Sequence, residues 1–151
     1  MNVIIRSAFK DEVDILDKMF AKLLDMDRSH DANLKSGLTM QGFFSKRIDD
    51  ENSIFLVAVA DSKIVGYLYG YIQDDNKVKQ ELESYIESIY IEEEYRTQGI
   101  GTMLIEHFEL EVKERDVKYI FIDNKVNNIV ARNLYSHLNY DLFIESRRKK
   151  L

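Results

Sequence analysis

The residues best suited to chemistry form a short glycine-containing segment, Arg96-Thr97-Gln98-Gly99-Ile100-Gly101. It follows a predicted strand and opens a predicted helix. Glycines allow the backbone to approach a ligand without a side chain in the way. The free N–H groups of a helix N-terminus point at the same place, and the helix dipole favours an anion there. The guanidinium of Arg96 adds further donors. The segment therefore predicts a site for a diphosphate group.

Two better-known phosphate motifs do not fit this segment. A dinucleotide fingerprint G-x-G-x-x-G requires glycine where the chain has Leu104, and a P-loop requires a glycine followed by lysine. A tight strand-to-helix turn without any ligand remains the alternative explanation of the two glycines.

Hydrophobic periodicity predicts the elements that must position the segment. In chain order they are strand 3–5, helix 10–26, helix 40–48, strands 54–60, 64–72 and 85–91, helix 100–112, strand 119–122, helix 128–138 and strand 142–144. Early hairpins and later crossover helices predict a mixed sheet with helices on both faces.

Composition narrows the class of protein. With 151 residues, 45% of them hydrophobic and 32% charged, the chain suits one globular domain over 1–151. The net charge of −6 argues against a nucleic-acid surface, and no apolar run is long enough to span a membrane. There is no cysteine, and no two histidines share a ligand spacing, so we expect no metal. A cytoplasmic protein is expected.

Two segments resemble the GNAT superfamily of N-acetyltransferases. Residues 89–104 resemble its acetyl-CoA motif, a strand and loop followed by Arg/Gln-x-x-Gly-x-Gly/Ala and a helix; only the frequent loop proline is missing. Residues 128–140 resemble Asn-x-x-Ala-x-x-Leu-Tyr-x-x-x-Gly-Phe, with Asn139 replacing glycine and Tyr140 replacing phenylalanine. Asparagine is the best substitute for glycine in a left-handed helix cap, so we expect the geometry to be kept.

The resemblance, which covers 87–143, implies an α/β (α+β) fold. Its central sheet would be mixed, mostly antiparallel, with about six to seven strands flanked by about four helices. It implies acetyl-CoA as co-substrate, with the pyrophosphate on the 98–102 backbone and the pantetheine arm paired with strand 89–91. The implied acetyl-CoA-binding residues are Ile89, Tyr90, Ile91, Arg96, Thr97, Gln98, Gly99, Ile100, Gly101, Thr102, Asn128 and Tyr135.

The resemblance also suggests two catalytic residues. Glu87 has a spacing from Arg96 similar to that of the catalytic glutamate in polyamine acetyltransferases, and it is the candidate base. Strand alternation predicts that Glu87 shares a face with Tyr85, Ile89 and Ile91. Tyr135 is the candidate acid for the departing thiolate, since a phenol is protonated at neutral pH. The structural alternatives are a solvated glutamate and a core aromatic residue.

The acceptor is less determined by the sequence. The acidic loops suit a small cationic amine as the acceptor of the acetyl group. The equally weighted alternative is that these carboxylates are simply solvated and bind no substrate. Their carboxylates are Asp25, Asp27, Asp31, Asp74, Asp75, Glu81 and Glu83. A protein N-terminus or lysine is the second acceptor class. A catalytically silent acyl-CoA sensor and a nucleotide-binding regulator are the non-enzymatic alternatives, and a homodimer is expected because oligomers are common for this fold.

Overall fold

A long hairpin organises the sheet. Strands β2 (Ser53–Ala60) and β3 (Lys63–Gln73) are joined through Asp61 and Ser62, whose φ angles are 50° and 63°. Two successive positive φ angles are typical of the type I′ turn, whose twist matches that of the paired strands. The predicted hairpin is confirmed.

The computed structural model describes residues 1–151. The sheet has five strands in the order β1-β2-β3-β4-β5, where β1 is Val3–Ser7, β4 is Leu82–Ile91 and β5 is Val117–Ile122. Neighbouring strands are antiparallel except β4 and β5, which are parallel. The predicted mixed, mostly antiparallel sheet is confirmed, with five strands rather than six or seven.

Helices cover both faces of the sheet, as predicted. The three α-helices are α1 (Val13–Asp27), α2 (Ile100–Glu114) and α3 (Ile129–His137), one fewer than expected. On one face α2 buries Leu104, Ile105 and Phe108 against the apolar side of β2 and β3. On the other face α1 buries Leu16 and Met19 in a second core.

Close packing explains a glycine in the middle of β3. A Cβ built at Gly70 would lie 2.5 Å from the ring of Phe108 and 2.6 Å from the carbonyl oxygen of Tyr85. The α2 helix can therefore approach β3 closely only because this position has no side chain.

The predicted helix over 40–48 is wrong. The chain makes only a 3-10 turn, Phe44–Lys46, between hydrogen-bonded turns. The buried carboxylate of Asp17 on α1 accepts hydrogen bonds from the N–H groups of Gly42 at 2.8 Å and Phe44 at 3.0 Å. These hydrogen bonds position the fully buried ring of Phe44 in the second core. Hydrogen bonds to the Asp17 side chain thus replace the repeating backbone hydrogen bonds of a helix.

The predicted final strand over 142–144 is also wrong. The chain after α3 runs without strand pairing, and Leu142 is 95% exposed. The outer edge of β5 has no neighbour in the sheet. Three apolar residues form a strand only when they can pair in register with the edge of a sheet. Residues 142–144 do not pair with the edge of β5.

Candidate active site

The site lies where two parallel strands separate. Pairing between β4 and β5 ends at Ile86 and Ile122. Beyond this point β4 continues to Ile91, still paired on its other side with β3. The edge of β4 that would face β5 over 87–91 is therefore unpaired, and its backbone groups remain able to bind an extended ligand.

Glu87 is the extra residue of a β-bulge. Tyr69 pairs with Ser88 and Gly70 pairs with Ile86, which leaves Glu87 without a partner on β3. Its side chain is exposed at the separation of β4 from β5. The bulge therefore lies at the point where β4 separates from β5.

The predicted strand alternation around Glu87 is wrong because of this bulge. Tyr85 stacks on Tyr71, which packs against the α1 side of the sheet. Ile89 and Ile91 pack against the core under α2, on the opposite face. The extra residue shifts the alternation by one, so the apolar residues beyond the bulge do not share a face with Tyr85.

The start of α2 presents a row of free backbone donors. Thr97 and Gly99 have φ angles of 61° and 81°, which turn the chain sharply into the helix. The backbone N–H groups of residues 98–102 donate no hydrogen bond within the chain. These free donors lie at the positive end of the helix dipole, an arrangement that favours an anion. Residues 96–102 are called the cradle segment, or the cradle, below.

The side chains of the cradle segment hold its own backbone. The Arg96 Nε donates to the carbonyl oxygen of Ile91 at 2.9 Å, and Nη2 contacts the Sδ of Met26 at 3.2 Å. Thr97 Oγ1 donates to the Arg96 carbonyl at 2.6 Å, and Gln98 Nε2 donates to the Glu94 carbonyl at 3.3 Å. The guanidinium is thus partly engaged in fixing the loop, and the backbone supplies most of the free donors.

A cleft of about 790 Å³ adjoins the cradle, between α1 and the β4–α2 connection. An ion pair of 2.7 Å between Lys22 and Glu92 links its two walls. Its lining residues are Ala21, Lys22, Asp25, Met26, Lys35, Gly37, Leu38, Tyr90, Glu92, Glu93, Glu94 and Arg96. The cleft has room for an extended ligand running away from the cradle.

Tyr135 packs against the core under α2, and both ends of α3 fix its position. At the start of α3, Asn128 Oδ1 accepts from the N–H of Ala131 at 3.2 Å, so this side chain caps the helix and keeps only its amide NH₂ for a ligand. At the end, Asn139 has a φ of 68°, which confirms the predicted left-handed cap. Burial, with the charge of Asp27 second, raises the pKa of Tyr135 to about 12.

Asp27 is linked to Tyr135 through the effect of its charge, although the motifs did not identify it. It is the last residue of α1, half-buried, and its carboxylate accepts no hydrogen bond. Burial raises its pKa, while the charges of His30 and Lys125 oppose the rise. Asp27 and Tyr135 are far apart in the sequence, so only a contact prediction could have found the pair.

Several of the predicted loop carboxylates are already paired. Asp31 contacts Arg148 at 2.8 Å and Lys125 at 4.0 Å. Glu83 contacts Lys79 at 3.4 Å, and Asp25 contacts Arg28 at 3.3 Å. The loops therefore offer fewer free negative charges than the sequence suggested.

No group of three or more His, Cys, Asp or Glu side chains is placed to hold a metal ion, and no helix has the length and apolar character needed to cross a membrane.

The profile of the acetyltransferase (GNAT) family matches residues 18–140, which is most of the chain. The chain belongs to the GNAT family. The match contains the cradle, the bulge and Tyr135, so the site described above lies inside the GNAT domain.

Two archaeal proteins are related to this GNAT chain in sequence. The N-alpha-acetyltransferase of Saccharolobus solfataricus is 31% identical over 104 residues, which are 65% of this chain and 62% of that protein. The N-alpha-acetyltransferase of Sulfurisphaera tokodaii is 29% identical over the same shares of both chains. The chain therefore spans less than two thirds of the length of either relative.

Solved structures share the GNAT fold at low sequence identity. The BH1408 protein of Bacillus halodurans, as its F44R mutant, superposes with a TM-score of 0.87 at 21% identity, covering 98% of this chain and 99% of that one. An aminoglycoside acetyltransferase from an uncultured soil metagenomic sample has a TM-score of 0.75 at 23% identity, covering 100% and 99%. These likenesses support the fold.

Proposed function

We propose that the chain, as one domain over 1–151, transfers an acetyl group from acetyl-CoA to a primary amine while both substrates are bound. The observation that carries the proposal is the free backbone N–H groups of 98–102, which lie next to the unpaired edge of β4. A diphosphate followed by an amide-bearing arm needs this combination of anion cradle and open strand edge. The cytoplasm is the expected compartment, and a homodimer stays a prediction.

The cradle residues fit coenzyme A in their donor chemistry. The 98–102 backbone would hold the diphosphate, and the edge of 89–91 would pair with the amides of the pantetheine arm. The free amide NH₂ of Asn128 would donate to that arm. When bound, acetyl-CoA supplies the activated acetyl group as a thioester.

An amine substrate must lose a proton before it can attack. An alkyl ammonium has a pKa of about 10.4, so at pH 7 the free amine is disfavoured by about 4.6 kcal/mol. Glu87 is exposed where the strands separate and would accept this proton directly or through water. The position of the bulge supports this role because Glu87 is the first residue of β4 beyond its pairing with β5.

Tyr135 would donate a proton to the departing thiolate. Its raised pKa of about 12 keeps the phenol protonated throughout the neutral range. A protonated group on the buried side of the site can neutralise a developing negative charge, whereas a phenolate would oppose it.

A small cationic amine is the first acceptor class. Asp27 and Glu87 are carboxylates at the site that form no ion pair within the chain, and both would attract an ammonium group. The names of the two archaeal relatives favour a second class, the α-amino group of a protein. In both classes the reacting group is a primary amine.

The decisive experiment measures thiol release from acetyl-CoA with a panel of amines. The panel contains monoamines, diamines, an aminoglycoside, a peptide with a free N-terminus and a blocked peptide containing lysine. Glu87→Gln should lower turnover by about 100-fold or more while coenzyme A binding is kept. Glu114→Gln, an exposed residue at the far end of α2, is the matched control and should turn over like the wild type.

Two results would overturn the proposal. Heat of coenzyme A binding without thiol release from any amine would favour the acyl-CoA sensor. Absence of coenzyme A binding by the folded protein, with thermal stabilisation by ATP or NAD instead, would favour the nucleotide-binding regulator.

A further inference from the structure

Three aromatic side chains form a row across neighbouring strands beside Glu87. Tyr71 on β3 is directly opposite Tyr85 on β4, which is directly opposite Phe121 on β5. The ring centroids are 5.3 Å and 5.1 Å apart, with interplanar angles of 16° and 17°. Tyr71, Tyr85 and Phe121 are called the aromatic row below.

The aromatic row is not explained by the two cores. Tyr71 only borders the core under α1, and Tyr85 and Phe121 belong to neither core. All three side chains are half-buried. The row is therefore a largely apolar surface, with two phenol hydroxyl groups, that the fold itself covers only in part.

The orientation of the rings determines what this surface can bind. Because the rings stack on one another across the strands, their faces are occupied and their edges point outward. Cation–π binding requires a free ring face, so the surface suits an apolar group better than a bare cation. Phe143 lies over Phe121 at 5.6 Å and closes the outer end of the row.

Carboxylates border the row at the end nearest the proposed site. Tyr85 precedes Glu87 by two residues, and Asp123 follows Phe121 by two. Burial first, then the charges of Glu87, Tyr85, Tyr69 and lastly Asp123, raise the pKa of Tyr71. An apolar surface thus meets negative charge at its rim.

We propose that the aromatic row binds an apolar body of the acceptor while Glu87 binds its ammonium group. This inference rests on the proposed function and refines the acceptor to a monoamine with an aryl or branched alkyl group near the nitrogen. A linear polyamine would place a second charge on the ring edges and lose its hydration there. Charge complementarity at the rim favours this occupant over a neutral partner.

The test is calorimetric binding of 2-phenylethylamine and 1,4-diaminobutane to the protein saturated with coenzyme A. We expect 2-phenylethylamine to bind at least about tenfold more tightly, since burying a phenyl group contributes more than one factor of ten. Tyr85→Ser should remove most of this preference, and Tyr85→Phe should keep it. Tyr119→Ser is the matched control, because Tyr119 is an exposed tyrosine on β5 outside the row.

Circular dichroism melting shows whether each variant is folded, and Phe121→Ser replaces Tyr85→Ser if the latter unfolds. Equal affinity for both amines, or an equal loss in Tyr119→Ser, would overturn the inference. A dimer in sedimentation that Tyr85→Ser dissociates would assign the row to a second copy and also overturn it. Selective binding without any thiol release would instead uphold the amine site and refute the proposed reaction.

Discussion

The backbone N–H of Tyr140 donates to the carbonyl oxygen of Tyr135 at 2.9 Å and closes the end of α3. The N–H of Asn139 donates to the carbonyl of Ser136 at 3.0 Å. These two bonds form a Schellman motif, and the rings of Tyr140 and Tyr135 pack edge to face at 6.5 Å. The proposed acid is thus positioned by the residues that end its helix.

Asn139 should control this arrangement through its backbone. Asn139→Gly should keep stability and turnover, because glycine adopts a φ of 68° without strain. Asn139→Val should lower the free energy of unfolding by about 1–3 kcal/mol and reduce turnover, since a β-branched residue resists that conformation. Urea denaturation and thiol release measure both effects. Asn133→Val, exposed within α3, is the control, and an equal loss there would contradict the argument.

Tyr135→Phe should separate catalysis from binding. The variant keeps the ring and loses the proton, so turnover should fall by about 100-fold or more. The dissociation constant of coenzyme A should change by less than about threefold, because the cradle is backbone. Thiol-release assays measure turnover, and calorimetry measures the dissociation constant of coenzyme A. Unchanged turnover would remove Tyr135 from the mechanism.

Gly99→Ala should weaken coenzyme A binding. The φ of Gly99 is 81°, so a side chain would strain the turn that exposes the 98–102 amides. Gly42 has nearly the same φ, 80°, and lies outside the cradle. We expect both alanine variants to lose about 1 kcal/mol of unfolding free energy, and only Gly99→Ala to lose affinity for coenzyme A by about tenfold or more. Equal affinities in calorimetry would argue against the cradle.

The stability of the chain should depend on Glu12 in acid. Glu12 contacts Arg6 through two oxygens at 2.7 Å and 3.0 Å, and it accepts from the Phe9 N–H at 2.7 Å. The Arg6 guanidinium is the main reason that the pKa of Glu12 is lowered from its ordinary 4.5. A lowered pKa means that the stabilisation is complete above 4.5 and disappears as the pH falls through the folded value.

Glu12→Gln should therefore lower the unfolding free energy by about 1 kcal/mol at pH 7, with a smaller difference in acid. Urea denaturation from pH 7 down to below pH 4.5 measures this difference in unfolding free energy. The exposed Asp49, paired with Lys10 at 2.8 Å, provides the control Asp49→Asn, which should change stability by less than about 0.5 kcal/mol. A pH-independent loss in Glu12→Gln would show that the charge is not responsible.

Local sequence patterns were enough to predict much of this fold. The β2–β3 hairpin, the α2 helix with its glycine turn and the left-handed cap at Asn139 are confirmed. Each of these depends on residues close together in the chain, where hydrophobic period and φ preference act directly. The roles of Glu87 and Tyr135 stay predictions until activity is measured.

Only the tertiary structure decided how strands and side chains meet. The bulge at Glu87 arises from the register of β4 against β3. Hydrogen bonding to Asp17 holds residues 40–48 in turns instead of the predicted helix. Residues 142–144 pair with no strand. The charge of Asp27 acts on Tyr135 although α1 and α3 are far apart in the chain. Such relationships depend on long-range register and packing, which a local pattern does not contain.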